Sequence, residues 1–204
     1  MRMPVKNWGP PNTSGTPRRK VLIDWPIWST KEKYLMYSTP ITKYWRGLPP
    51  FWALLLNCLP LNYRAAKPGM GHQKLHVDWG NSVVNNNYKV CNSIWLLDEF
   101  TQENGSTRIV PKSHKFNLLP DQALEDPFAE HPDEIRITGP AGSVFIFNSH
   151  VWHGGTTNHT QADRRSIHSY FCTREQPQQI NQAQYITKKT AQRIGKKGRY
   201  ILDV

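Results

Sequence analysis

Several features are scarce in this 204-residue chain, and each scarcity narrows the class of protein. The only cysteines are Cys58, Cys91 and Cys172, an odd number without paired spacing, so we expect no structural disulfide and a reducing, cytoplasmic location. No run of about 18 apolar residues occurs, and we therefore predict no membrane-spanning helix. The basic N-terminus continues into Gly, Pro, Ser and Thr rather than an apolar core, which argues against a signal peptide.

Acidic residues are also scarce, since 15 Asp and Glu stand against 26 Lys and Arg and give a net charge of +11. The imbalance lies at the ends: 11 basic against 2 acidic residues in 1–71, 9 against 12 in 72–185, and 6 against 1 in 186–204. We expect a flexible basic segment over 1–20, one domain over 21–185, and a basic helix or tail over 186–204. Basic ends of this kind suit solubility, nucleic acid, anionic lipid or an acidic partner.

What the chain does contain favours a β-rich fold. Sixteen prolines and thirteen glycines indicate many turns, and an aromatic content of 11% with eight tryptophans indicates a packed core. Short β-type runs follow one another between these turns, and we predict that they form a sandwich or jelly roll. The runs are His72–Asp78, Lys89–Leu97, Thr107–Val110, Glu134–Thr138, Gly142–Phe147 and Arg165–Thr173. Residues 29–47 are predicted to hold a short helix, 51–58 a helix or buried strand, and 115–133 a helix or irregular insertion.

Two separated motifs predict a metal site. The first is His76-Val77-Asp78, in which strand alternation places His76 and Asp78 on one face. The second, about 75 residues later, runs from Trp152 to Gly155 and contains His153. Two imidazoles and one carboxylate are the facial triad of non-heme Fe(II) oxygenases, which leaves positions open for a cosubstrate and O2. Arg164 follows His153 by eleven residues and offers a planar cationic fork for a carboxylate.

Two other pairs of histidines are possible metal ligands by their spacing, but each is a weaker candidate than the triad. His72 and His76 have the i, i+4 spacing of a helical zinc pair, but the glutamate that serves as general base in such sites is missing, and the pattern is β-type. His150 and His153 form another pair by spacing, of which His150 is the weaker ligand candidate because it follows a break in the strand pattern.

The motifs together resemble the phytanoyl-CoA dioxygenase family of Fe(II)/2-oxoglutarate oxygenases. The resemblance covers roughly residues 60–175 and is clearest in the segments 95–115 and 142–171, with Lys112 where the family usually has a glycine. It implies a mainly β protein with flanking helices, folded as a double-stranded β-helix (a cupin-like jelly roll). It also implies iron bound by His76, Asp78 and His153. By the same resemblance, Arg164 rather than its neighbour Arg165 binds the distal carboxylate of 2-oxoglutarate. Gln73 and Thr107 resemble positions that hydrogen-bond this cosubstrate.

The resemblance further implies a hydroxylase that acts on an unactivated C–H bond of a small organic substrate and releases succinate and CO2. Its cofactors would be Fe(II), 2-oxoglutarate and O2. A carboxylate at Asp78 favours hydroxylation over halogenation, which needs a small residue there. Two alternatives stay open: a non-catalytic metal- or ligand-binding module of the same fold, and an oxygenase that acts on nucleic acid and grips it with the basic ends. Trp79 and Trp152 are expected either to line the pocket or to pack in the core.

Overall fold

The chain folds into two facing β-sheets with short helices beside them. The computed structural model describes the backbone of residues 21–24, 56–80 and 88–204, and the side chains of residues 61–80 and 88–204. The predicted helix over 29–47 lies outside the described residues. The strands are β1 Val21–Asp24, β2 Leu56–Ala66, β3 Val90–Leu96, β4 Thr107–Ile109, β5 Ile135–Arg136, β6 Val144–Asn148, β7 His153–Gly155 and β8 Arg164–Thr173.

The strand order places residues from distant parts of the chain side by side. The larger sheet has the order β1-β6-β3-β8-β2, and the smaller one has the order β5-β4-β7. All the pairings are antiparallel except the one between β1 and β6. Two facing sheets of short, mostly antiparallel strands are the double-stranded β-helix, or jelly roll, so the predicted fold class is confirmed.

The core lies between the two sheets. Ile94, Phe145 and Phe147 project into it from the larger sheet, and Ile109 does so from the smaller one. The Phe145 and Phe147 rings stack with their centroids 5.2 Å apart. In β3, six of the seven residues are buried, because this strand lies between β6 and β8 and both of its faces are covered.

The segment that carries the first metal motif is less regular than its alternating pattern predicts. Instead of a strand over His72–Asp78, the structure has one isolated antiparallel bridge, between His76 and His153. The alternation reflects packing, since Leu75 is fully buried against Val110 and Trp152. The backbone N–H of Leu75 donates to the carbonyl of Pro127, outside both sheets, so that a continuous ladder is interrupted there.

The remaining predicted elements are mostly present but shorter. The run over 134–138 pairs only at Ile135–Arg136, and the segment 115–133 is irregular apart from a 3-10 helix at Ser113–Lys115 and one turn of helix, α1, at Pro120–Ala123. Leu56–Cys58 of the apolar block belongs to β2. Helix α2 spans Gln182–Tyr185, and the C-terminal basic segment after it holds α3 Lys188–Arg193 and α4 Gly195–Leu202. Across the described part of the chain, no helix has the length and apolarity that crossing a bilayer requires.

Candidate metal centre

Three predicted ligands converge at the point where the two motifs meet. Nε2 of His153 lies 3.2 Å from Oδ2 of Asp78, and Nε2 of His76 lies 3.7 Å from Oδ1 of the same carboxylate. One potential ligand atom from each residue lies within 4.8 Å of the other two. The two imidazole rings are 4.5 Å apart between centroids. These three side chains could therefore hold one metal ion, as the sequence predicts.

Backbone carbonyls orient both imidazoles. Nδ1 of His76 lies 2.9 Å from the carbonyl of Lys74, and Nδ1 of His153 lies 2.8 Å from the carbonyl of Val151. A carbonyl only accepts, so each Nδ1 carries a proton, and each Nε2 is the ring nitrogen turned toward Asp78 and able to bind a metal ion when it is unprotonated. An imidazole fixed in this tautomer and orientation is ready to bind a cation.

Two residues that face each other across β3 and β8 hold the Asp78 segment. Asn92 and Tyr170 are partners in the register of these strands. The amide of Asn92 donates to Oδ2 of Asp78, and the Tyr170 hydroxyl donates to the backbone carbonyl of Asp78 at 3.2 Å. The sequence prediction missed both residues, although their place in β-type runs could have suggested an inward orientation for each.

The electrostatics of the triad favour cation binding at neutral pH. Burial lowers the pKa of His76, and the neighbouring His153 lowers it further, so this imidazole is neutral. Burial raises the pKa of Asp78, but His153 and His76 outweigh burial and bring the pKa below its usual value, so the carboxylate is ionised. Burial lowers the pKa of His153, but the Asp78 carboxylate outweighs burial and raises it. A cation that binds here replaces a proton that Asp78 otherwise helps His153 to retain.

The two glycines after His153 allow the two halves of the site to approach each other. A Cβ on Gly155 would lie 2.2 Å from the carbonyl oxygen of Gly71, and one on Gly154 would lie 2.9 Å from that of Lys74. Both distances are too short for a side chain beside backbone atoms. The paired glycines of the second motif therefore have a steric role: they admit the backbone that leads to His76.

Arg164 and Arg165 project in opposite directions, as adjacent strand residues do. Arg164 is buried, donates from Nη1 to Oγ of Ser166 at 3.0 Å and from Nη2 to the carbonyl of Gly105, and lies with Cζ 4.2 Å from the Phe100 ring centroid. Its Nε is buried and has no hydrogen-bond partner among the described residues. Burial lowers the pKa of Arg164 to about 10, which leaves it charged at neutral pH.

Arg165 has its partner elsewhere. Its side chain is 53% exposed, and Nη2 and Nε bond to the two carboxylate oxygens of Asp98 at 2.7 and 2.9 Å. The inward, incompletely partnered guanidinium is thus that of Arg164.

Gln73 and Thr107 both lie beside Gly155. Oε1 of Gln73 accepts from the Gly155 N–H at 3.1 Å, and Thr107 is the register partner of Gly155 between β4 and β7. Gln73 is exposed and Thr107 is buried.

The competing histidines lie apart from the triad. His72 is exposed and approaches the Phe128 ring at 5.8 Å, and it does not join the ligand cluster. His150 is buried, with Nδ1 2.8 Å from Oδ1 of Asn148, and burial lowers its pKa to about 4. Trp152 is buried in the core beside Leu75, and Trp79 packs on the pair Val90 and Cys172.

A buried arginine that the sequence did not predict holds the backbone of the segment that leads to His76. Arg108 is 1% exposed, and its Nη2 donates to the carbonyl of Gln73 at 2.9 Å. The same guanidinium pairs with Glu134 at 3.2 Å. Its position in a β-type run gave no sign of this role, because a charged strand residue is usually exposed.

Curated relatives match parts of this chain. A dioxygenase of Alternaria alternata is 29% identical over 132 residues, which cover 62% of this chain and 40% of the relative. A dioxygenase of Penicillium expansum is 28% identical over 131 residues, or 59% of this chain and 37% of the relative. The chain thus spans well under half the length of these relatives. Among solved structures, a non-heme monooxygenase, ThoJ, is similar at 17% identity with a TM-score of 0.49, covering 59% of this chain and 47% of the other.

The family model described as phytanoyl-CoA dioxygenase matches residues 29–166. This match begins earlier than the resemblance predicted from the motifs, which starts near residue 60, so the region before the first motif also carries the family pattern. Because the match covers more than half of the sequence, this chain belongs to the phytanoyl-CoA dioxygenase family.

Proposed function

We propose that this chain is an Fe(II)/2-oxoglutarate-dependent dioxygenase that hydroxylates an unactivated C–H bond of a small organic substrate and releases succinate and CO2. The observation that carries the proposal is the meeting of His76, Asp78 and His153 in the same fold that buries Arg164. The match to proteins named dioxygenases supports it as well.

The donor set fits ferrous iron. Two imidazole nitrogens and one carboxylate suit Fe(II) and leave coordination positions open, whereas thiolates would favour zinc or clusters. When bound together, Fe(II) and 2-oxoglutarate activate O2 for oxidation of the substrate. The part of His76, Asp78 and His153 is to present three ligand atoms on one side, and that of Asn92 is to hold the Asp78 carboxylate in place.

Arg164 fits the distal carboxylate of 2-oxoglutarate. Its buried Nε without a partner is a donor that the described residues leave unsatisfied, and a buried donor of this kind costs about 1–3 kcal/mol. A carboxylate would satisfy it with a charge-assisted hydrogen bond. The Phe100 ring lies over this guanidinium, with Cζ 4.2 Å from the ring centroid. Gln73 and Thr107 both lie beside Gly155, two residues after His153, and they are proposed as further polar contacts of the cosubstrate.

The carboxylate at Asp78 favours hydroxylation over halogenation. A small residue there would leave a further coordination position for halide, whereas the Asp78 carboxylate would fill it. A hydroxylase therefore suits this donor set better than a halogenase does.

The test is an anaerobic titration of the full chain with Fe(II) and 2-oxoglutarate, followed by visible absorption. We expect a charge-transfer band of the chelate in the parent protein and its loss in His76→Ala. Arg164→Gln is expected to weaken 2-oxoglutarate binding at least tenfold, and Arg164→Lys to weaken it less, because a point charge replaces the fork. Folding of each variant is checked by circular dichroism.

Two matched controls come from the sequence itself. His72→Ala removes the other member of the possible zinc pair, and Arg165→Gln removes the exposed neighbour of Arg164; neither is expected to change the band. A folded parent protein that gives no band contradicts the proposal and favours a non-catalytic binding module. A panel of candidate substrates assayed for succinate release then defines the reaction.

A further inference from the structure

A second guanidinium, that of Arg64, lies on the same face of the sheet as Arg164. In the register of β2 with β8, Arg64 is opposite Ser166 and Ala66 is opposite Arg164. Residues opposite each other in an antiparallel pair project from the same face. Ser166 is fully buried, and its Oγ accepts from Arg164, so the face shared by these residues is the interior one. Arg64 therefore projects from that face one cross-strand position beyond Arg164.

The guanidinium of Arg64 is close to a histidine on the same face of β8. Nε2 of His168 lies 3.1 Å from Oγ of Ser166, the residue opposite Arg64. Burial lowers the pKa of His168 to about 4, and the charge of Arg64 lowers it further. The charge of Arg64 therefore acts on this side of the site.

Arg64 has no ion pair or hydrogen bond within residues 61–80 and 88–204, and its side chain is exposed. The charges of the proposed centre already balance without it. The ferrous ion and Arg164 carry three positive charges, and Asp78 with the 2-oxoglutarate dianion carries three negative ones. Arg64 adds a positive charge that no acidic side chain of the described residues pairs with, and a guanidinium binds carboxylate or phosphate oxygens in fork geometry.

We propose that Arg64 binds an anionic oxygen group of the substrate, which makes the substrate class a small molecule with a carboxylate or phosphate. The inference rests on the proposed function for the identity of the reaction, but the anion preference is measurable without turnover. In this arrangement Arg164 binds the cosubstrate, and Arg64 binds the substrate at the exposed end of the face that β2 and β8 share.

The test uses pairs of compounds that differ in one anionic group: dodecanoate and its methyl ester, N-acetyl-L-leucine and N-acetyl-L-leucinamide, and adenosine monophosphate and adenosine. Binding to the anaerobic complex with Fe(II) and 2-oxoglutarate is followed by the shift of the chelate band, and binding to the metal-free protein is followed by thermal unfolding. We expect the member that carries the carboxylate or phosphate to bind at least tenfold more tightly than its neutral partner. The carboxylate pairs and the phosphate pair distinguish the two sources of the anion.

Variants at Arg64 and at a control position then show whether Arg64 causes the preference for the anionic compound. Arg64→Gln is expected to remove the difference within a pair and leave the 2-oxoglutarate titration within twofold of the parent, and Arg64→Lys is expected to retain part of it. Lys67→Gln makes the same change of charge at an exposed position in the following turn and is expected to retain the full preference.

Three results overturn the inference: no pair shows anionic preference, Arg64→Gln leaves the preference unchanged, or Arg64→Gln weakens 2-oxoglutarate binding tenfold, which would make Arg64 a cosubstrate residue. Failure of the proposed function is a separate result, because it is the absence of the chelate band in the parent protein. The thermal measurement still reports the anion preference in that case.

Discussion

The buried guanidinium of Arg108 is expected to be one of the main determinants of stability in this fold. Its two terminal nitrogens donate to the Glu134 carboxylate and to four carbonyls, those of Gln73, Ala129, Pro127 and Phe128. The Glu134 side chain is only 10% exposed. Arg108→Met would leave this carboxylate without its cation and would remove a donor from each of the four carbonyls, of which that of Pro127 keeps the N–H of Leu75. Removal of one partner of a buried ion pair costs about 3–5 kcal/mol. That is a large share of the roughly 5–15 kcal/mol by which domains are stable.

Urea unfolding monitored by tryptophan fluorescence measures this cost. Arg136 is a matched control, because it is the register partner of Arg108 between β4 and β5 but pairs with a largely exposed Glu130. Arg136→Met is expected to cost less than about 1 kcal/mol, as exposed ion pairs do. The free energy of unfolding of Arg108→Lys should lie between those of the parent and Arg108→Met. Arg108→Lys replaces Arg108→Met in the comparison if the latter does not fold. The double variant Arg108→Met/Glu134→Leu should recover part of the loss, because the stranded carboxylate is gone. A cost for Arg108→Met no larger than that for Arg136→Met would refute this reasoning.

Three further outcomes are expected. Gly155→Ala places a methyl group against the Gly71 carbonyl and should weaken metal binding by displacing the segment before His76; calorimetric titration measures this, and unchanged affinity would count against the steric role. Asn92→Ala removes the donor to the Asp78 carboxylate and should lower metal affinity roughly 10–100-fold in the same titration, and an affinity equal to that of the parent would contradict this role. The pKa of buried His114 is lowered by burial to about 4, so the unfolded chain binds more protons than the folded one between pH 6.5 and 4. The stability that neutral His114 contributes is therefore full above pH 6.5 and declines as the pH falls through this window. His114→Gln should reduce the decline in urea midpoints, and equal declines in parent and variant would disprove the assignment.

The β-type runs and the two motifs were readable from the sequence because each depends on local spacing. The β-type runs Lys89–Leu97 and Gly142–Phe147 correspond to β3 and β6, the strands that supply much of the core. The pattern failed over His72–Asp78, where the alternation comes from burial of Leu75 against a loop and not from strand pairing. Periodicity reports which side chains are buried, and it does not identify the neighbour that buries them.

The sequence allowed the three residues of the triad to be predicted but not the residues that hold them in place. His76, Asp78 and His153 are unusual residue types in a recognisable order, whereas Asn92 and Tyr170 are ordinary strand residues whose importance comes from their being opposite each other across β3 and β8. Arg108 is the extreme case, since its partners lie 19 to 35 positions away in loops without a regular pattern. Residues that act through long-range contacts of this kind need the fold before they can be identified.

The bridge between His76 and His153 has a consequence for how a metal ion would enter the proposed site. The three side chains come from distant positions in the polypeptide, and the entropy lost in bringing them together is already spent when the sheets close. A metal ion would therefore bind to a finished fold and stabilise the native state in proportion to the logarithm of its free concentration. If the proposed iron site is correct, cells starved of iron would hold this protein in a form that is easier to unfold and degrade.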